Sequence, residues 1–303
     1  FTVEAIKGLS KEKLSGFIAA ILVVFIWSFW LIISRLGVQT TLTIYDITAI
    51  RFGFSALIVI PFTLYFKTWR TISFMKSLAV AFLIGPVYAL LAFGGFLFSP
   101  AFHGGIFMNG FLPLVTVFLS FMLGKKIKLW SLVGVVIILF GSITILFESQ
   151  GVHEKNIWFG DMLFFLAAIF LSFFMILVKK WDLQYSQILY SICIVNAVLY
   201  LPVWFFFLPS GVESINVFLN DRIIIMNVLF QGFVPNLVGL FLTAYSAKMI
   251  GASKASALLA GVPTTGALLG YLLLSEVPTF LGWLSLLLVS IGILMVVVKD
   301  HEP

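Results

Sequence analysis

The sequence predicts an all-α integral membrane protein, with ten transmembrane helices arranged as two inverted five-helix repeats around a central cavity. Three observations carry that reading. Of the 303 residues, 62% are hydrophobic and only 10% are charged, whereas a soluble domain is about half apolar and roughly a quarter charged. The apolar residues form runs close to the roughly 20 needed to cross about 30 Å of hydrocarbon. Within each run they are continuous rather than alternating, which excludes strands, since an unpaired strand leaves its backbone unsatisfied in lipid.

The sequence opens at Phe1, so an initiator methionine or short tail is expected upstream. The first apolar run, 14–34, follows Lys7, Lys11 and Lys13 like the basic start of a signal peptide. It is too long for a signal core and ends in Arg35 without a small-residue cleavage site, so it reads as a membrane anchor. Further runs follow at 46–66, 77–98, 103–123, 129–147, 159–178, 186–208, 223–246, 254–274 and 279–298. The third and fourth are divided only by Phe98, Ser99 and Pro100, a turn without a charge. The 34 Phe, 8 Trp and 8 Tyr suit a lipid-facing surface with aromatic belts near the headgroups.

The net charge of +6 does not mark a nucleic-acid binder, because the basic residues sit at segment ends and form no stripe. They mark topology instead. With the N-terminus in the cytoplasm, that side holds 14 basic residues: Lys7, Lys11, Lys13, Lys67, Arg70, Lys76, Lys125, Lys126, Lys128, Lys179, Lys180, Lys248, Lys254 and Lys299. The other side holds Arg35, Lys155 and Arg222. This bias places both termini in the cytoplasm. A single cysteine, Cys193, in an apolar run leaves no disulfide framework and no metal motif, and no cofactor is expected.

The chain repeats itself. Gly16, Ser28 and Arg35 correspond to Gly160, Ser172 and Lys179 at an offset of 144. Pro86 and Pro113 correspond to Pro235 and Pro263 at offsets of 149 and 150, and Gly141 corresponds to Gly292 at 151. The halves are expected at 1–147 and 148–303. Five helices each, an odd number, place the halves upside down relative to one another, an arrangement found in secondary transporters that alternate access about a site between the repeats.

Three stretches carry a family resemblance. They are IWSFWLIISRLG (26–37), followed by Arg51 and Phe52 in the second run; FGDMLFFLAAIFLSFFMILVKK (159–180); and GASKASALLAGVPTTGALLGYLLLSEVPTFLGWLSLLLVSIGILMVV (251–297). With them the chain resembles the drug/metabolite transporter superfamily, in its ten-helix EamA-like branch. The resemblance implies a basket of helices, with helices 1–4 and 6–9 lining a cavity and helices 5 and 10 peripheral. It also implies transport of metabolites across a bacterial inner (plasma) membrane. One departure stands out: the first half has Gly124, Lys125 and Lys126 where the family usually carries a glycine and a glutamate matching Glu276.

Candidate site residues lie at depth. Each of Pro86, Pro113, Pro235 and Pro263 removes a helix hydrogen bond and frees the carbonyl four residues earlier, so each marks either a packing kink or a wet cavity. Buried polar groups in lipid tend to face a pathway, although amides also join helices to one another. Asn109, Asn227, Gln231, Asn236, Thr264 and Thr265 are read as cavity candidates and Asn196 as interhelical glue. The amides suit a zwitterionic or polar neutral solute.

Trp27, about 20 Å into the first helix at 1.5 Å per residue, Ser28 and Tyr88 join the cavity candidates, while Trp30 is read as a weaker cavity candidate or as part of the outer aromatic belt. Arg51 is read either as an ion-paired or carbonyl-capped structural residue, with Asp46 as its candidate partner, or as a carboxylate contact. His103 reads as an interfacial histidine, with a gating role as the alternative. Asp46, Asp161 and Glu276 fall near the outer ends and no acid lies deeper, which argues against proton-coupled export of cations.

The chain has no HExxH, no GxSxG and no paired carboxylate, and no ring of charge for a channel, so neither enzyme nor channel is expected. The expected function is secondary-active or facilitative transport, by alternating access, of a small polar metabolite such as an amino acid or a derivative. A multidrug exporter of cationic lipophilic compounds is the alternative. The partners are a small-molecule metabolite and the lipid bilayer, without nucleic acid, and an oligomer is not required. If the orientation is right, Ser149→Cys and Ser210→Cys both react with an impermeant maleimide from outside, and protection of both reverses it.

Overall fold

The computed structural model describes residues 11–122, 124, 127–148, 156–212, 221–250 and 252–300. Among these residues helix is the only regular structure, because each backbone group in lipid must be satisfied within its own segment. Among the described residues nine helices are long and apolar enough to cross a membrane. They are α1 (Lys11–Gly37), α2 (Ile44–Phe66), α3 (Phe74–Phe98), α5 (Leu129–Glu148), α6 (Ile157–Lys180), α7 (Tyr185–Phe207), α8 (Arg222–Ile250), α9 (252–274) and α10 (Phe280–Asp300). A further apolar helix, α4 (101–122), lies between α3 and α5, and its most apolar part, Ala101–Val115, is shorter than the rest. Ser99 and Pro100 cap the facing ends of α3 and α4, so the uncharged turn divides the helices where the sequence places it.

Helix ends follow local chemistry. α2 starts with a capping box in which Thr43 and Asp46 each accept the other's backbone N–H. Asp221 caps α8 by accepting from the amides of Ile223 and Ile224. At the end of α9, Ser275 takes a left-handed conformation (φ 57°), turning the chain so that Glu276 comes back towards the bundle.

The helices that carry the four prolines are all irregular. α3 breaks at Gly85, with Pro86 as the first residue of its second half. α9 is interrupted at 260–261, just before Pro263. α4 passes through a π-helical turn, Gly105–Gly110, ahead of Pro113, and α8 has one at Val234–Gly239, which contains Pro235. A third such turn, Tyr190–Val195, lies in α7. π-turns insert an extra residue into the helix and recur at functional sites. The carbonyls near the α8 turn find side-chain donors: Ser55 donates to Gly232 and Tyr185 to Leu237.

Contacts between helices are exchanged when the two halves are exchanged. α1 packs on α8 and α9, and α6 packs correspondingly on α3 and α4. α2 packs on α7 and α8, α7 also reaches α3, and α5 packs along α10. α1 is central: Leu31 fills the space left by Gly266 in α9, and Trp30 packs on Phe93 and Phe96 of α3. Outward-facing positions such as Leu57, Phe62, Phe205 and Phe207 are exposed and apolar, as a lipid-contacting surface requires.

α5 and α10 approach closely because Gly134 and Gly292 face each other. A Cβ on Gly292 would lie 2.7 Å from the Gly134 carbonyl oxygen, a backbone atom that cannot yield easily. At Gly53, by contrast, a Cβ would meet only Leu201 at ordinary contact distance. Gly292→Ala is therefore expected to destabilise the protein by about 1–3 kcal/mol through overpacking. Gly53→Ala should leave the melting temperature in detergent at or above the wild-type value.

Candidate functional site: a polar cluster between the two halves

The site begins with helical spacing. Trp30, Ser34 and Gly37 recur at three- and four-residue intervals on one face of α1, and Arg51 and Ser55 do so on one face of α2. Both faces meet α8, at Asn227, Gln231 and Asn236. The Trp30 indole donates to the Gln231 side-chain oxygen at 2.9 Å, and the Gln231 amide donates to Ser34 Oγ at 2.9 Å. Arg51 donates to Asn236 Oδ1 at 2.8 Å and, more weakly, to Gln231 Oε1 at 3.4 Å. Asn236 donates to Ser55 Oγ at 3.0 Å. Every one of these bonds joins the first half of the chain to the second. The cluster is sealed from solvent: Arg51 is 4% exposed and Gln231 0%.

The charge within it is unusual. The Arg51 guanidinium lies 5.8 Å from the centre of the Trp30 ring, an attractive cation–π placement. Tyr88 and Cys193 lie within electrostatic range. No carboxylate pairs with Arg51 among the described residues, and its Nε has no hydrogen-bond partner. The Asn227 side-chain oxygen is likewise buried and unpartnered, one helical turn from Gln231.

The acidic residues are engaged elsewhere, in three ties at one end of the bundle. Arg35 Nε donates to Glu276 at 3.0 Å, with the two side chains 7% and 14% exposed. Arg35 also donates to the Phe96 carbonyl, and Glu276 accepts from the first amide of α4, at Ala101. His103 and Asp161 pair at 2.8 Å, linking α4 to α6. Asp46 accepts from the Trp204 indole and the Gly211 amide at 2.8 Å each, linking α2 to the end of α7. All three ties join the halves. At the opposite end the links shown are neutral or cation–π: Ser15 with Tyr245, Gln187 with Thr71, and Lys76 over Trp181.

A family model for the EamA-like transporter family matches the chain twice, at residues 14–147 and 158–298. The chain belongs to the EamA-like transporter family. As such it is a multi-pass membrane transporter of the drug/metabolite type. One solved structure, described only as "Crystal structure of protein", is 16% identical, with a TM-score of 0.64 over 96% of this chain and 99% of that chain, a likeness of fold. No curated protein gives a match.

Of the residues singled out from sequence, Gln231, Asn236 and Arg51 come together, with Asn227 beside them and Tyr88 near the charge. Ser28 instead ties α1 to the Val262 carbonyl beside the α9 break. Trp27 is half-buried and packs edge-on against Trp30. Thr264 is exposed and meets Ser290 of α10 at 2.9 Å, while Thr265 is half-buried one residue on. Asn109 lies in the α4 π-turn, which packs on α5, α6, α9 and α10. Asn196 donates to the Ile192 carbonyl, and its oxygen sits where a Cβ at Gly85 would fall, fitting the break of α3 against α7.

Two sequence expectations are corrected. Asp46 does not pair with Arg51, because the helix 2 cap and Trp204 occupy its oxygens. Trp30 is not in an outer aromatic belt: it is buried, and its indole N–H is held by Gln231. The partners Ser34 and Ser55 escaped notice because a lone serine in an apolar run carries little signal. Their spacing four residues after Trp30 and Arg51 was the available clue. A groove of about 630 Å³ opens on the bundle surface where α2 meets α8, lined by Phe54, Ile58, Leu229 and Phe233, with Arg222 at its rim. It is apolar and lies beside the cluster, not within it.

Removing one partner of a buried ion pair strands the other and costs about 3–5 kcal/mol, whereas replacing both by apolar groups costs far less. Glu276→Ala is expected to lower thermal stability in detergent by about that amount. Arg35→Met combined with Glu276→Leu should recover most of it.

Proposed function

We propose that the chain carries a small polar organic metabolite, an amino acid or amino-acid derivative, by alternating access between its two halves. One observation carries the reading. Gln231, Asn236, Arg51, Trp30, Ser34 and Ser55 are gathered where α1 and α2 meet α8, and their hydrogen bonds run across the boundary between the halves. Interhelical glue needs only one or two such bonds. A cluster of amides, hydroxyls, an indole and a guanidinium offers the mixed donors and acceptors that a polar solute exchanges for water.

Further features support the same reading. Irregular helices near the cluster bring backbone and side-chain groups to membrane depth, as transporters of this general design require. The ties at one end join the same two halves, so opening that side means breaking Arg35–Glu276, His103–Asp161 and Asp46–Trp204. In this reading the structure is a state closed at that end. The halves, 1–147 and 148–303, are inverted five-helix repeats, both termini face the cytoplasm, and the membrane is a bacterial inner membrane. The basic-residue bias and the repeat offsets support this arrangement. The buried guanidinium disfavours the alternative, an exporter of cationic drugs, because it repels such cargo.

Gln231→Ala removes the hub that joins Trp30, Ser34 and Arg51. It is expected to reduce transport by proteoliposomes at least about tenfold, as losing a hydrogen bond to a charged group predicts, with membrane levels unchanged. Asn109→Ala, away from the hub, should have a smaller effect. Normal transport by Gln231→Ala removes the cluster from the pathway. Substrates for that assay come from a thermal-shift screen against metabolites, in which a bound ligand raises the melting temperature by mass action.

A further inference from the structure

We infer that Arg51 receives a carboxylate of the transported solute, so that the cargo is a small organic acid, amino acids included. This rests on the transport reading above and narrows it.

The first argument is electrostatic. A charge held in a membrane interior costs several kcal/mol unless it is paired or faces water. Arg51 is 4% exposed, yet among the described residues only neutral oxygens accept from it, those of Gln231 and Asn236. Asp46, the one acid on α2, points away to the Thr43 cap, Trp204 and Gly211. Two amide oxygens and an aromatic face ease the burial without neutralising it, and Nε remains without a partner. The guanidinium is thus held in place by its neighbours while part of its donor fork is left for an incoming acceptor. A planar fork of this kind fits a carboxylate through two parallel hydrogen bonds.

The second argument is asymmetry. If the polar cluster served folding alone, the corresponding interface in the other half would need one too, since the helix contacts are exchanged with the halves. At the offset of 144 that aligns α1 with α6, Trp30 and Ser34 correspond to Phe174 and Val178. At the offset of 149 that aligns α3 with α8, Gln231 and Asn236 correspond to Phe82 and Val87. At offsets of 144 to 149 Arg51 corresponds to residues 195–200, which include the buried amide Asn196 and no charge. The corresponding interface has neutral links of its own, Ser77 with Ser191 and the Asn196 amide against Gly85, and holds no charge where the first holds the guanidinium. The fold therefore does not require the charge.

The third argument concerns which anion. A phosphate dianion calls for more than one cation, and the nearest candidate by sequence depth, Arg35, is held by Glu276. A single guanidinium matches a monoanion. The buried, unpartnered oxygen of Asn227, one turn from Gln231, offers an acceptor for an ammonium or hydroxyl elsewhere on the same solute.

The test uses the purified full chain in detergent and pairs of probes that differ only in the carboxylate: leucine and leucinamide, N-acetyl-leucine and its amide, benzoate and benzamide. At least one acid is expected to raise the melting temperature by a few degrees at millimolar concentration, with its amide binding roughly tenfold or more weakly, as for loss of a charge-assisted hydrogen bond. Arg51→Gln should abolish the difference between acid and amide. Arg51→Lys should retain it at lower affinity. Amides that stabilise as well as acids, discrimination that survives in Arg51→Gln, or a panel in which no acid shifts the melting temperature would each overturn the inference. If Arg51→Gln does not fold, the wild-type acid-to-amide comparison and Arg51→Lys decide. A neutral solute whose transport is abolished by Gln231→Ala would sink the carboxylate while leaving the transport reading intact.

Discussion

A hydrogen-bonding group in hydrocarbon has no water to turn to, and the structure is organised by that constraint. It makes every segment helical, since only a helix satisfies its own backbone. It governs the places where helices are interrupted: the irregular turn of α8 is accompanied by Ser55 on the Gly232 carbonyl and Tyr185 on the Leu237 carbonyl. It also gathers the amides of α8, the Trp30 indole and the Arg51 guanidinium into one cluster, because each would be costly alone. The few members left short of a partner, Arg51 Nε and Asn227 Oδ1, mark where that economy is incomplete.

The distribution of charge divides the molecule in two. At one end, the acids Asp46, Asp161 and Glu276 each meet a donor from the other half, and the contacts are short and shielded. Buried ties of this kind contribute less to net stability than their Coulomb energy suggests, since desolvation offsets most of it. They are specific, however, and they break together if the halves separate at that end. Near the middle the only formal charge among the described residues is Arg51, and its neighbours are dipoles. An end held by charged groups and a middle held by dipoles fit the alternating-access reading proposed above.

Much of this was legible in the chain. Nine of the ten predicted spans fall on helices long and apolar enough to cross a membrane, the fourth falls on the shorter apolar α4, and the four prolines picked out by the repeat fall at or beside irregular turns. The residues of the cluster were legible in part: Gln231, Asn236 and Arg51 stand out because amides and charges are rare in apolar runs. Ser34 and Ser55 do not stand out, since serine is tolerated in any membrane helix. Trp30 was left open between cavity and belt, because a tryptophan in an apolar run carries the same composition whether it faces lipid or a glutamine.

What the sequence determined by itself is what hydrophobicity and backbone chemistry settle locally: where the chain crosses the membrane, where its helices are interrupted, and which polar groups sit too deep to be accidental. What only the tertiary structure decided is pairing across long separations. Asp46 lies five residues from Arg51 and serves Trp204, 158 residues away. Arg51 finds its partners 180 and 185 residues on. Arg35 meets Glu276 across 241 residues. Helix faces spaced by three and four residues say which side chains share a side, but which helix that side meets is fixed only when the two halves pack together.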